Sequence, residues 1–213
     1  MPLFKSISHT FSNGQDATVL VWKITESIEE LQNSITLKPE SELRLQQMKS
    51  ALHQRGFLSI RHLLTLVGLS DAQLFYNDNG KPILHNGMHI SISHSFDFST
   101  IVLSKLNIGI DIEQIREKVA RIAHKFCNSE LTFLEPNTSH YYNNLTTIWA
   151  AKETIFKIEN QVGISFKDHI LVSEFHNKNV RAKLHFNDKI STYEMQSLCV
   201  ENFMLVFGIK ISS

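Results

Sequence analysis

Ile108-Gly109-Ile110-Asp111-Ile112-Glu113 lies at the middle of the 213-residue chain, and its side chains repeat with period two. Period two is the repeat of a β-strand, whose successive side chains point to opposite faces. Ile108, Ile110 and Ile112 therefore enter a core, while Asp111 and Glu113 stand side by side on the other face. Upstream, Val19 to Ile24 reads as a buried strand. From Pro39 to Leu66 the spacing of Leu43, Leu45, Met48, Leu52, Leu58, Leu63 and Leu64 predicts helix, divided at Gly56. Tyr76 to Pro82 is dense in turn formers, and His89 to Ser95 with Ser99 to Leu103 reads as a strand pair. Downstream, residues 114 to 160 read as helical around a polar loop at Pro136 to Asn144, with Ile148 to Ile158 the clearest helix. Four strands are expected after it, at Ile170 to Phe175, Val180 to Phe186, Glu194 to Val200 and Phe203 to Ile211. The order strand, helices, strands, then helices and strands again predicts an α+β fold. The expected plan is two pseudo-symmetric α/β lobes, residues 1–108 and 109–213, with a single mixed domain as the competing description.

Composition narrows the classes. Hydrophobic residues make up 42% and charged residues 20%, which fits a globular chain and excludes collagen-like, low-complexity and wholly disordered sequences. The 21 Lys and Arg offset 21 Asp and Glu, so no net positive field draws the protein to nucleic acid or to an anionic membrane, and neither is expected as a partner. The two cysteines, Cys127 and Cys199, are too few for a disulfide framework and lack zinc-site spacing. No leader pattern opens the sequence and no apolar run is long enough to span a bilayer, so a cytoplasmic setting is expected.

Asp111 and Glu113 held together on a strand make a natural start for a Mg²⁺ site, because Mg²⁺ takes hard oxygens from one or two carboxylates and fills its shell with water and phosphates. A solvated polar strand face is the commoner meaning of such a pair. In Trp149-Ala150-Ala151-Lys152-Glu153-Thr154-Ile155-Phe156-Lys157, helical spacing puts Trp149, Glu153 and Lys157 on one side with Lys152 at its edge, a face able to hold a metal and a phosphate together. An ordinary surface pair, Glu153 with Lys157, is the alternative. Ser91-Ile92-Ser93-His94-Ser95, preceded by Gly80-Lys81-Pro82, can bind phosphate or supply a base. The nucleophile elbow of serine hydrolases and the glycine-rich nucleotide loops are absent from the sequence. A zinc site at His85, His89 and His94 is disfavoured, since alternation puts His89 and His94 on opposite faces.

Taken in order, Gly80-Lys81-Pro82, Ile92-Ser93-His94-Ser95, Gly109 to Glu113, Phe126 to Glu130, and Trp149 to Glu153 with Lys157 resemble the 4′-phosphopantetheinyl transferase superfamily, in its two-lobed form named after the activator of surfactin synthetase. The resemblance implies an active site between the lobes and transfer of the phosphopantetheine arm of coenzyme A to a serine of an apo acyl or peptidyl carrier protein. The other product would be adenosine 3′,5′-bisphosphate. It implies Mg²⁺ on Asp111, Glu113 and Glu153, with Asp111, Lys157 and Glu130 as the catalytic residues, Lys157 at the pyrophosphate and Glu130 as general base. For coenzyme A it implies Ser93 and His94 at the phosphates, Lys81 and Pro82 against adenine, Arg55 and Arg44 near the 3′-phosphate, and Lys152 at phosphate or in support of the fold. A second aromatic and a proline of the family pattern are missing around Phe126-Cys127-Asn128-Ser129-Glu130. A monomer is expected from the fused-lobe length. A coenzyme A or carrier-binding module without catalysis, and a different Mg²⁺-dependent phosphoryl enzyme, are the competing functions.

Overall fold

The computed structural model describes residues 3–175 and 177–212, and the chain divides into two compact units, Met1–Lys105 and Leu106–Ser213. The first unit contains β1 (Leu3–Thr10), β2 (Asp16–Lys23), α1 (Ile28–Asn33), α2 (Pro39–Gln47), α3 (Ala51–Leu66), the short strands β3 (Leu74–Tyr76) and β4 (Pro82–Leu84), β5 (His89–Ser95) and β6 (Phe98–Ser104). Its main sheet runs β1-β2-β6-β5 with antiparallel pairing. Helix α3 covers one face, where Phe57, Leu58, Ile60, Leu63 and Leu64 close a core with Leu20, Trp22, Ile90 and Ile101.

The second unit contains β7 (Ile108–Gln114), α4 (Lys118–Phe126), α5 (Tyr141–Glu159), β8 (Ile170–Val172), β9 (Asn179–Phe186), β10 (Lys189–Val200) and β11 (Phe203–Ser212). These strands form one antiparallel sheet in the order β7-β11-β10-β9-β8. Helix α5 packs on β7 and β11 and supplies Leu145, Ile148, Ala151 and Ile155 to the core. Helices beside antiparallel sheets make the fold α+β, as the order of elements predicts.

The helical stretch from Pro39 to Leu66 breaks at Met48, whose backbone is extended (ψ 120°), and not at Gly56, which lies inside α3. The break is stabilised by Gln54, whose side-chain amide donates to the carbonyls of Met48 at 3.0 Å and Leu45 at 3.4 Å, satisfying groups that a helix end leaves open. Strand β1, absent from the expected elements, is a sheet edge with mostly exposed side chains, so no buried face marks it in the sequence. No described helix is long and apolar enough to cross a membrane.

Candidate active site on β7 and α5

Gly109 sets the distance between β7 and α5. A Cβ at this position would lie 2.3 Å from the carbonyl oxygen of Thr154 and 2.9 Å from Ile158, so only glycine lets the strand lie this close to the helix. Gly109, Asp111 and Glu113 share one strand face, and that face is turned to α5 rather than to solvent. On α5, Trp149, Glu153 and Lys157 recur every fourth residue and line the same side.

The side chains meet in pairs. Lys157 Nζ donates to Asp111 Oδ1 at 2.7 Å and to the Ile110 carbonyl at 2.9 Å. Asp111 is buried, while Lys157 keeps 27% of its side chain exposed. Trp149 Nε1 donates to Glu113 Oε1 at 3.2 Å, so the indole orients that carboxylate. Glu153 is coupled to all three charged neighbours. Burial, then the charges of Asp111 and Glu113, push its carboxyl up to about 7, against an opposing pull from Lys157. Beside the cluster a groove of about 230 Å³ is lined by Glu113, Trp149, Thr146, Arg116, Val119 and Ile122.

Three carboxylates near one another, one of them protonated far above its ordinary range, carry more negative charge than a single ammonium balances. Hard oxygen donors with that surplus suit a divalent cation such as Mg²⁺. Among the described residues no three acidic, histidine or cysteine side chains already converge as a metal cage.

Lys152 and Glu130 occupy another place. Both side chains are fully buried, with Nζ 2.6 Å from Glu130 Oε1. Lys152 also donates to the carbonyls of Phe126 at 2.6 Å, Phe166 at 2.9 Å and Ile170 at 2.7 Å. Glu130 accepts the backbone N–H of Asn128 at 2.9 Å and of Val172 at 3.1 Å. Three donors spent on four acceptors leave this ammonium nothing to offer a phosphate, and a sealed carboxylate cannot reach a substrate hydroxyl. The expected part of Glu130 as base therefore gives way to a buried clamp, in which Lys152 takes the second of its two expected parts, support of the fold, tying the end of α4 and the start of β8 to α5. Burial outweighs that pairing in pulling the Lys152 pKa below the ordinary lysine range. Neighbouring Cys127 is pushed up to about 12, by burial first and by the Glu130 charge.

The residues expected at coenzyme A lie in the first unit. Arg44 is exposed and lies over the Tyr76 ring at 5.0 Å. Arg55 donates from Nη2 to the Ile24 carbonyl at 2.8 Å. The backbone N–H of Lys81 donates to Asn77 Oδ1 at 2.8 Å, and Pro82 opens β4. Burial and the Lys81 charge lower the pKa of His89. Ser93 and His94 are adjacent on β5 and so point to opposite faces of the sheet.

Sequence reasoning did not assign Trp149 to Glu113, nor Gly109 to Thr154. A glycine inside an apolar strand was the available signal for the second, since it marks close backbone approach.

An ammonium beside a carboxylate cluster on one strand and one helix is a site able to hold a divalent cation and a phosphate together. Residues 107–204 match the family model described as the 4′-phosphopantetheinyl transferase superfamily. The resemblance carried by the motifs is thus borne out over this segment, which is similar to that superfamily. The segment includes Asp111, Glu113, Glu130, Lys152, Glu153 and Lys157. The chain is 29% identical over 107 residues to 4′-phosphopantetheinyl transferase gsp of Aneurinibacillus migulanus, covering 48% of this chain and 45% of that protein. It is 27% identical over 135 residues to enterobactin synthase component D of Salmonella typhimurium, covering 62% of this chain and 54% of that protein. The chain spans about half the length of the curated relatives it matches.

Proposed function

We propose that the protein transfers the 4′-phosphopantetheine group of coenzyme A to a serine hydroxyl of an apo acyl or peptidyl carrier protein, releasing adenosine 3′,5′-bisphosphate. The observation that carries this reading is the gathering of Asp111, Glu113, Glu153 and Lys157 where β7 meets α5, within the segment that matches the transferase superfamily. In the reaction the serine oxygen bonds to the β-phosphorus of coenzyme A. The bond from that phosphorus to the bridging oxygen breaks, the bisphosphate leaves, and the hydroxyl loses its proton.

Asp111, Glu113 and Glu153 would hold Mg²⁺, which when bound supplies neutralisation of the charge that grows on the pyrophosphate oxygens. Lys157 contributes a point charge one helical turn from Glu153, and Asp111 with the Ile110 carbonyl fixes its direction. Trp149 keeps the Glu113 carboxylate from rotating. Glu130 and Lys152 support the site by holding α5 in place. His94, Ser93, Lys81, Pro82, Arg44 and Arg55 are assigned to coenzyme A. A monomeric, cytoplasmic enzyme completes the reading.

The test is intact-mass spectrometry of an apo acyl carrier protein after incubation with the protein, coenzyme A and Mg²⁺, beside a chelator control. A phosphopantetheine mass gain that chelator prevents, and that Asp111→Asn abolishes while folding is kept, supports the proposal. Coenzyme A binding without any mass gain across several carrier proteins would replace it with a binding module, and full activity in Asp111→Asn would remove the metal assignment.

A further inference from the structure

We propose that Gly56 and His53, one turn apart on α3, fix the ring of His94, so that His53 is a positioning residue for the histidine assigned to phosphate. The inference deepens the transferase reading and rests on it for the identity of the ligand.

The placement follows from β5. Ile90, Ile92 and His94 alternate onto the sheet face that α3 covers, and Ile90 belongs to the core there. At the end of the strand His94 pairs with Ser99 of β6, which pairs with Trp22 of β2, giving one row across the sheet. Helix α3 comes close at this row because its residues there are small. The hydroxyls of Ser59 and Ser99 share a hydrogen bond of 2.8 Å. A Cβ on Gly56 would stand 3.0 Å from His94 Cγ and 3.1 Å from Nδ1, so the imidazole lies directly on the helix backbone. His53 flanks it, with ring centroids 5.9 Å apart and planes tilted by 56°.

This arrangement answers a specific problem of histidine. Its outer torsion is broad, and an exposed ring left to itself turns through many orientations. Both His53 and His94 are exposed, and the His94 ring is bounded by Gly56 beneath and His53 alongside. Glycine is a poor residue for a helix interior, and Gly56 is not in a turn conformation, so the missing Cβ is its use here. An imidazole with a fixed plane presents its N–H to a phosphate oxygen without first losing rotational freedom, which is the usual gain from preorganisation.

The test uses the full chain and the variants Gly56→Ala, His53→Ala and His53→Phe, with two readouts. Calorimetry measures coenzyme A binding, and carbon-resolved NMR of the imidazole groups follows the His94 ring. Gly56→Ala and His53→Ala are expected to shift the His94 ring signals and to weaken coenzyme A roughly three- to tenfold, the range set by a ring forced off its preferred torsion. The carrier protein KM stays unchanged. His53→Phe, which keeps a ring against His94, is expected to lose less than His53→Ala. Unchanged His94 signals, or unchanged coenzyme A affinity in a folded His53→Ala, overturn the proposal. Should the wild-type chain not bind coenzyme A at all, the transferase reading fails by itself. The ring signals then still decide the positioning: movement in both variants supports it, and no movement refutes it.

Discussion

Replacing Glu130 by glutamine separates a structural carboxylate from a catalytic one. The side chain is fully buried against a fully buried Lys152 at 2.6 Å, and it also accepts two backbone N–H groups. Glutamine keeps the volume and one acceptor but removes the charge, leaving an ammonium surrounded by the carbonyls of Phe126, Phe166 and Ile170. Removing one partner of a buried ion pair costs about 3–5 kcal/mol, because the remaining charge is uncompensated. With a urea slope of about 2 kcal/mol per molar, a cost near 4 kcal/mol moves the unfolding midpoint down by about 2 M. Lys152→Met is expected to cost about the same by stranding the carboxylate. The double variant is expected to cost less than the sum by about 1–3 kcal/mol, since each substitution removes the charge that the other exposes. The assay is urea unfolding followed by tryptophan fluorescence. Trp22 and Trp149 are the two tryptophans, one in each unit, so a Trp22→Phe background reports on the second unit alone. A Glu130→Gln protein with an unchanged midpoint and a transfer rate lowered by a factor of about 10² or more, the size of a lost general base, would refute the clamp and restore Glu130 to the reaction.

Gly109→Ala drives a methyl group to within 2.3 Å of the Thr154 carbonyl, which is backbone and cannot swing away, so β7 and α5 must separate. A loss of about 3 kcal/mol or more, at the upper end of overpacking costs, is expected in thermal unfolding, and magnesium binding by calorimetry falls with it. Trp149→Phe keeps an aromatic ring but removes the donor to Glu113. Magnesium affinity is expected to fall at least tenfold while stability changes little, as for the loss of a group that orients a ligand; an unchanged affinity would show the bond to be incidental. Cys199 is exposed and Cys127 is buried with its thiol pushed up to about 12. The thiolate is the reactive form, and the raised pKa keeps Cys127 protonated between pH 7 and 9. A thiol reagent is therefore expected to modify one cysteine per folded chain between pH 7 and 9 and two in denaturant, counted by mass spectrometry.

What the sequence discloses depends on how local the cause is. Period two in Ile108 to Glu113 and in His89 to Ser95 marks strands because apolar and polar side chains alternate along the chain itself. The edge strand β1 escapes for the converse reason: Lys5, Ser6, Ser8 and His9 bury nothing that would mark a face. The break at Met48 is likewise hidden, since it rests on the side chain of Gln54 turning back to the Leu45 and Met48 carbonyls, while Gly56, the residue that looks like a break, lies inside α3 beneath the His94 ring. In the site, Asp111, Glu113, Glu153 and Lys157 were legible because strand and helix periods put each pair on one face. For Lys152 the two expected parts, phosphate ligand or support of the fold, stayed open because periodicity gives a direction around the helix but not what lies there, and its pairing with Glu130 is a contact between distant segments that no local pattern marks.

That difference bears on how the cluster is built. Lys152 and Lys157 are five residues apart on one helix, and both meet a carboxylate at hydrogen-bond distance. Lys152 faces the core, where four oxygen acceptors use up its charge. Lys157 faces β7 with about a quarter of its surface open and two protein acceptors, so charge remains available to an incoming anion. The clamp and the site thus work against each other across α5. The buried pair fixes the helix on one side, and Gly109 allows the strand to reach it on the other. A change that loosens either contact is expected to move Glu153 and Lys157 relative to Asp111 without touching any of the three. Positions such as Gly109 and Lys152 then control the proposed chemistry through geometry, and their variants should lose magnesium affinity in proportion to the displacement of α5.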